Sequence, residues 1–298
     1  MSSKQVAVKV AVPALAAIAV GAVAVGLSGN WPSHDGASSA GAASPAAAAA
    51  VPAAVGDPGN PATWKLPVEA YMVTKDQARL VGASRAAVIT NCMKDAGFPQ
   101  WTPAPDLPRV GGKTETDWRY GIHDAALAAR RGYHPDAAEQ KAYDKAMMAG
   151  AVDKSGADPQ VVKRCVQSAG DLAARPADLV QQIKGDSYKA SAEDPKVKAV
   201  FAQWSACMKA KGYSYGKPMD ANNDPRFNDP DTVTDVEIAT AKADIACRTQ
   251  HHVEKTWFDA ESALQTKAIK ANASALAGIQ SANKQAVTKA KALAATAR

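Results

Sequence analysis

Large aliphatic side chains are scarce in this chain. Of 298 residues, Leu, Ile, Val and Phe together account for 48, about 16%, whereas alanine alone accounts for 67. Burial stabilises by roughly 25 cal/mol per Å² of apolar surface, and an alanine methyl offers little of it. A large aliphatic core is therefore excluded. So small a share of large apolar residues signals disorder when net charge is high, but here the net charge is only +6. The combination points to a mainly α-helical domain that depends on covalent staples.

Other absences narrow the function. No Cys-x-x-Cys and no His-x-x-x-His occurs, so no structural zinc site, and no other metal or cofactor, is expected. Basic residues are not interleaved with aromatics, so a pI near 9.0 does not imply nucleic acid. No acid follows Glu261, while Lys267, Lys270, Lys284, Lys289, Lys291 and Arg298 do. Residues 262–298 thus read as a basic, Ala-rich helical tail, either a solvated face or an unspecific contact for an anionic surface. Strand-like stretches are short: only Phe98–Thr102 and Tyr213–Tyr215 are expected to pair, as a small ribbon.

What is present begins with an export segment. Met1–Lys9 is short and basic, and residues 10–27 are 18 uncharged positions. That is long for the apolar stretch of a signal peptide and marginal for a membrane span. Residues 1–28 therefore read either as a signal peptide, with Ala22-Val23-Ala24 or Ser38-Ser39-Ala40 before the cut, or as an N-terminal membrane anchor. Both readings place the remainder outside the cytoplasm. Residues 29–63 are rich in Ala, Pro and Gly, with helix-breaking prolines at 45, 52, 58 and 61. They are expected to form a disordered linker.

A repeat organises residues 64–261, with units at about 74–170 and 194–261. Thr74-Lys75-Asp76-Gln77 is a capping box that opens a helix ending Cys92-Met93-Lys94-Asp95-Ala96-Gly97-Phe98. Asp194-Pro195 opens another that ends Cys207-Met208-Lys209-Ala210-Lys211-Gly212-Tyr213. Both endings predict a left-handed glycine at Gly97 and Gly212. The next residue, Phe98 or Tyr213, then packs back on Met93 or Met208. Each unit has one further cysteine downstream, in helices opened by Asp158-Pro159 and by the capping box Thr234–Glu237. The repeat therefore pairs Cys92 with Cys165 and Cys207 with Cys247. In the chain-entropy model, loops of this length are worth about 4 kcal/mol each.

Cys-Met-x-x-x-Gly-aromatic twice, Arg119-Tyr120-Gly121-Ile122-x-Asp124, Gly132-Tyr133-His134-Pro135 and the run from Glu237 to Cys247 resemble exported proteins of actinobacteria, especially streptomycetes. The likeness covers about residues 64–279. It implies an exported, disulfide-bonded helical domain and carries over no catalytic residue.

From Asp235 to about Ala295 there is no proline and Gly278 is the only glycine, which predicts a long C-terminal helix. Apolar positions from Trp257 through Ala271, Ile279 and Ala290 step by 3, 4 and 4, a seam too rich in alanine to bury much. The expectation is a protruding helix.

Candidate chemistry is thin. Gly111-Gly112-Lys113-Thr114 lacks the first glycine of a phosphate loop, and Gly82-Ala83-Ser84-Arg85-Ala86 lies within a helix. Asp244, Cys247 and His251 share a helix face, but a disulfide removes the thiolate. The aromatics are more numerous than a small core requires: filling the core is the plainer reading, and a ligand groove with Trp101, Trp118, Tyr120 and Trp204 as candidates is the other. The expected function is that of a non-catalytic binding module for an unidentified protein or glycan of the cell envelope. Membrane contact would come through the N-terminal segment. The alternatives are an envelope hydrolase and a helical spacer for a transport complex.

Overall fold

The computed structural model describes residues 52–150, 154–172, 176–229 and 231–296. The segment expected to direct export, most of the expected linker and the last two residues fall outside this set. Helices dominate: α1 Lys75–Asp95, α2 Ala125–Arg131, α3 Ala137–Gly150, α4 Pro159–Ser168, α5 Asp178–Ser191, α6 Pro195–Ala210, α7 Pro218–Asn222, α8 Asp235–Gln250, α9 Val253–Ala271 and α10 Ala273–Thr296. Their starts follow local chemistry. Thr74 accepts from the backbone N–H of Gln77 while Gln77 Oε1 accepts from that of Thr74, at 3.3 and 2.9 Å. Asp158 and Asp194 cap α4 and α6 ahead of a proline.

The two repeat endings are Schellman turns. Gly97 and Gly212 have φ of +92° and +91°. The N–H of Phe98 donates to Met93 O at 2.9 Å and that of Tyr213 to Met208 O at 3.0 Å. Met93 and Met208 are fully buried beneath those aromatics. Cys92 is bonded to Cys165 and Cys207 to Cys247, joining α1 to α4 and α6 to α8. Two such bonds fit an oxidising, extracytoplasmic compartment.

The main core lies among α5, α6, α8 and α9 and mixes aromatic with aliphatic side chains. Trp257 stacks on Tyr188 with centroids 5.0 Å apart and meets Phe201 edge-on at 4.9 Å. Trp64 packs on Phe258 at 5.0 Å. Such pairs add to the burial they provide, which compensates for the shortage of leucine. Two smaller clusters lie along α1. One is formed with α10 through Val81, Leu172, Val287 and Ala290, the other with α4 through Ile89, Met93 and Cys165.

Four expectations are corrected. The ribbon is not formed: among the described residues the only β pairing is an isolated bridge between Ala54 and Lys65. Tyr215 O instead accepts from Ser205 Oγ at 2.6 Å. The end of the linker is ordered from residue 52, because Trp64 inserts into the core and its indole N–H donates to Asp57 O at 2.8 Å. The long C-terminal helix is present as α10, Ala273–Thr296, but its expected continuation back to Asp235 is broken at His252, whose φ is +51°, and at Asn272, whose side chain caps Ala268 O at 2.8 Å. The basic segment does not protrude, and the boundary expected after residue 261 falls inside α9. Leu276 and Ala290 of α10 are fully buried, Asn283 donates to Tyr71 O at 3.0 Å, and Ser84 Oγ donates to Ala290 O at 3.2 Å.

Among the described residues no helix is long and apolar enough to cross a membrane. The segment expected as signal or anchor lies outside them.

Candidate functional site

The ionisable side chains with chemical potential converge inside the core, on α8 and α9. Asp244 and Arg248 are both fully buried. Asp244 accepts from Arg248 Nε at 2.6 Å and Nη2 at 2.8 Å, from Trp204 Nε1 at 2.8 Å and from Tyr133 Oη at 3.2 Å. Arg248 donates further to the carbonyls of Tyr120 and Pro218. Burial opposes the guanidinium charge, and the Asp244 carboxylate more than restores it. About two helical turns into α9, Glu261 accepts from Arg119 Nε at 2.8 Å, Tyr120 Oη at 2.8 Å and Gln265 Nε2 at 2.7 Å. Burial, and then the Glu261 charge, push the Tyr120 hydroxyl well above its usual range.

Glu237 does not close the capping box expected at Thr234. Thr234 does accept from the Glu237 N–H at 3.1 Å, but the carboxylate turns inward. Its Oε1 accepts from Tyr133 N and from His134 Nδ1, both at 2.8 Å.

Two glycines make these pairs possible. Gly121 has φ +116° and a methyl there would overlap the Arg248 guanidinium; Gly132 has φ +57° and a methyl would overlap the Glu237 carboxylate. The motifs Arg119-Tyr120-Gly121 and Gly132-Tyr133-His134 are thus the seats of α8 and α9. Gly111-Gly112 plays a similar part, leaving room for the Trp118 ring and the Asp117 carbonyl.

Glu254 is buried near Arg248, and its carboxyl interacts with its own backbone N–H. Desolvation raises its pKa, and Arg248 only partly offsets that. An acid with a raised folded pKa favours the folded state at low pH and weakens it once ionised. Glu254→Gln is therefore expected to stabilise the protein at pH 7 by about 0.5–2 kcal/mol, the usual range for stabilising changes. The gain should vanish as pH falls through the folded pKa towards the unfolded value. Urea midpoints of both proteins at pH 7 and pH 4 check the sign.

The expected aromatic groove does not exist as such. Trp204 and Tyr120 are 0% and 1% exposed, because their polar ends serve Asp244 and Glu261. Trp118 lies at the edge of the main core and Trp101 in the separate cluster around Met93. Of the face drawn from Asp244, Cys247 and His251, the first two are buried and already bonded, and His251 follows the end of α8.

Polar groups also converge at the surface, in a cleft lined by Gly212, Tyr213, Ser214, Tyr215, Asp224, Arg226 and Val236. The Schellman turn after α6 forms one wall, the short turn Pro225–Phe227 another and the first turn of α8 the third. Asp224 accepts from Tyr215 Oη at 2.7 Å, from Arg226 Nη2 at 2.6 Å and from the Arg226 backbone N–H at 2.9 Å. Arg226 Nη2 also donates to Tyr215 Oη at 3.0 Å. Arg226 holds the Asp224 carboxyl well below the usual carboxylate range. Burial, then the Asp224 bond, push the Tyr215 hydroxyl up to about 12. Sequence reasoning missed this cleft because its residues carry no periodicity; the one cue was the Asp224-Pro225 turn signal.

Comparisons with family models, with curated proteins and with solved structures return no match.

Proposed function

We propose that this chain is a non-catalytic binding module of the cell envelope, exported and then either released or held at the membrane by its N-terminal segment. The observation that carries the reading is the contrast between interior and surface. Asp244, Glu261 and Glu237 are committed to Arg248, Arg119 and His134 inside the core, where no substrate reaches them. The surface cleft, in contrast, presents polar groups already fixed in place. A general acid or base must lie within hydrogen-bond reach of substrate, and these carboxylates do not. The disulfides add support for export.

The test is co-sedimentation of the full chain with purified peptidoglycan sacculi, with the supernatant analysed for released fragments. Retention on the sacculi without soluble products is the expected result. Steady release of muropeptides would replace the reading with the hydrolase; no retention would remove the envelope glycan as ligand.

A further inference from the structure

Resting on that reading, we infer that the cleft beside the α6 Schellman turn is a subsite for an uncharged saccharide. Three features of the cleft converge on this class of ligand. The first is charge. Arg226 and Asp224 form a closed pair whose formal charges cancel, so an incoming phosphate or carboxylate meets a guanidinium already neutralised at 2.6 Å. An anion gains little there, whereas a hydroxyl or amide group needs only a donor or acceptor.

The second feature is preorganisation. Asp224 is 10% exposed at the side chain and accepts from Tyr215, from the Arg226 guanidinium and from the Arg226 backbone. It is the anchor rather than the contact. It holds the planar Arg226 fork, 63% exposed and laid over the Phe227 ring at 5.3 Å, together with the Tyr215 hydroxyl. Tyr215 is held at the backbone by Ser205, and Tyr213 by its bond to Met208 O. Polar groups fixed before binding lose little entropy on it. Asp224 and Tyr215 take Nε and Nη2 of that guanidinium, so Arg226 offers a ligand the N–H groups of its remaining nitrogen, fixed beside the Tyr215 hydroxyl, and these donate to a ring hydroxyl or an acetamido carbonyl.

The third feature is the apolar component. Tyr213 and Tyr215 are partly exposed, and Val236 on the facing wall is 55% exposed. A sugar ring has a polar rim and C–H faces, so a cleft with tyrosine and valine walls around a polar base suits both.

The experiment is isothermal titration of the full chain with N,N′,N″-triacetylchitotriose, with inorganic phosphate as the anionic probe. Wild type is compared with Arg226→Lys and Tyr215→Phe. Both variants keep bulk and are required to retain the wild-type urea midpoint. If one loses it, the other carries the test. The expected result is saturable chitotriose binding that weakens at least tenfold in either variant, with no phosphate binding. Phosphate binding without chitotriose binding would overturn the inference in favour of an anion site, and chitotriose binding untouched by both variants would place the sugar elsewhere. Absence of chitotriose binding also overturns it. If the chain is still retained on sacculi in that case, the binding reading stands and only this cleft fails; if it is not, both fail.

Discussion

Asp244→Ala is expected to destabilise the fold by at least about 3–5 kcal/mol, the cost of leaving one member of a buried ion pair without its partner. Without the carboxylate, Arg248 keeps only the carbonyls of Tyr120 and Pro218. Trp204 Nε1 and Tyr133 Oη also lose their acceptor, each a further penalty of about 1–3 kcal/mol if no water replaces it. Against a total stability of about 5–15 kcal/mol, such a variant is marginal at 37 °C. The double variant Asp244→Ala/Arg248→Met removes the orphaned charge along with its partner. Its loss is expected to be smaller than that of Asp244→Ala alone, although the Trp204 and Tyr133 donors stay unmatched. Urea midpoints of both variants, and of Arg248→Met alone, decide the matter. A double variant that loses as much as the sum of the single ones would mean that Asp244 and Arg248 act independently, and the ion pair would not be what holds α8 against Tyr120.

How much of this was legible in the sequence follows from the range of the interactions. Helix starts at Thr74, Asp158 and Asp194, and the endings at Gly97 and Gly212, are set by residues within five positions, so a linear reading finds them. The disulfide pairing was legible because the repeat places one donor helix and one acceptor helix in each half. The inward carboxylates were not. Glu237 and Asp244, like Glu254 and Glu261, are seven residues apart on one face, a spacing that shows they share a side without showing that it is buried. Whether a charge is tolerated there depends on Gly121 and Gly132, more than a hundred residues earlier in the chain. The choice between core and groove stayed open for the same reason: a tryptophan looks alike in sequence whether its N–H faces water or Asp244. The break at His251-His252 did carry a cue, since histidine enters the left-handed region more readily than most residues. The absence of glycine and proline there outweighed it.

The two disulfides should fail in different ways when each is replaced by a serine pair. Cys207–Cys247 ties α6 to α8 within the main core, where Trp204, Met208, Asp244 and Arg248 pack around the bond. Unfolding of that core is one cooperative event, so losing the 40-residue closure is expected to lower global stability by about 4 kcal/mol. Cys92–Cys165 closes a longer loop of 73 residues, and the same model gives a similar figure. Yet Cys165 is the only buried residue of α4. Besides the bond, α4 is held to α1 by the Ile89–Met93 cluster and by Arg85 donating to the carbonyls of Ala169 and Val166. An element held so lightly detaches before the core does. Cys92→Ser/Cys165→Ser is therefore expected to raise amide exchange across residues 159–168 while shifting the urea midpoint of global unfolding, followed by far-UV circular dichroism, far less than the other pair does. Equal midpoint shifts for the two variants would place α4 inside the same cooperative unit as α6 and α8. In that case the closure entropy, and not the packing on either side of the bond, would govern what each staple contributes.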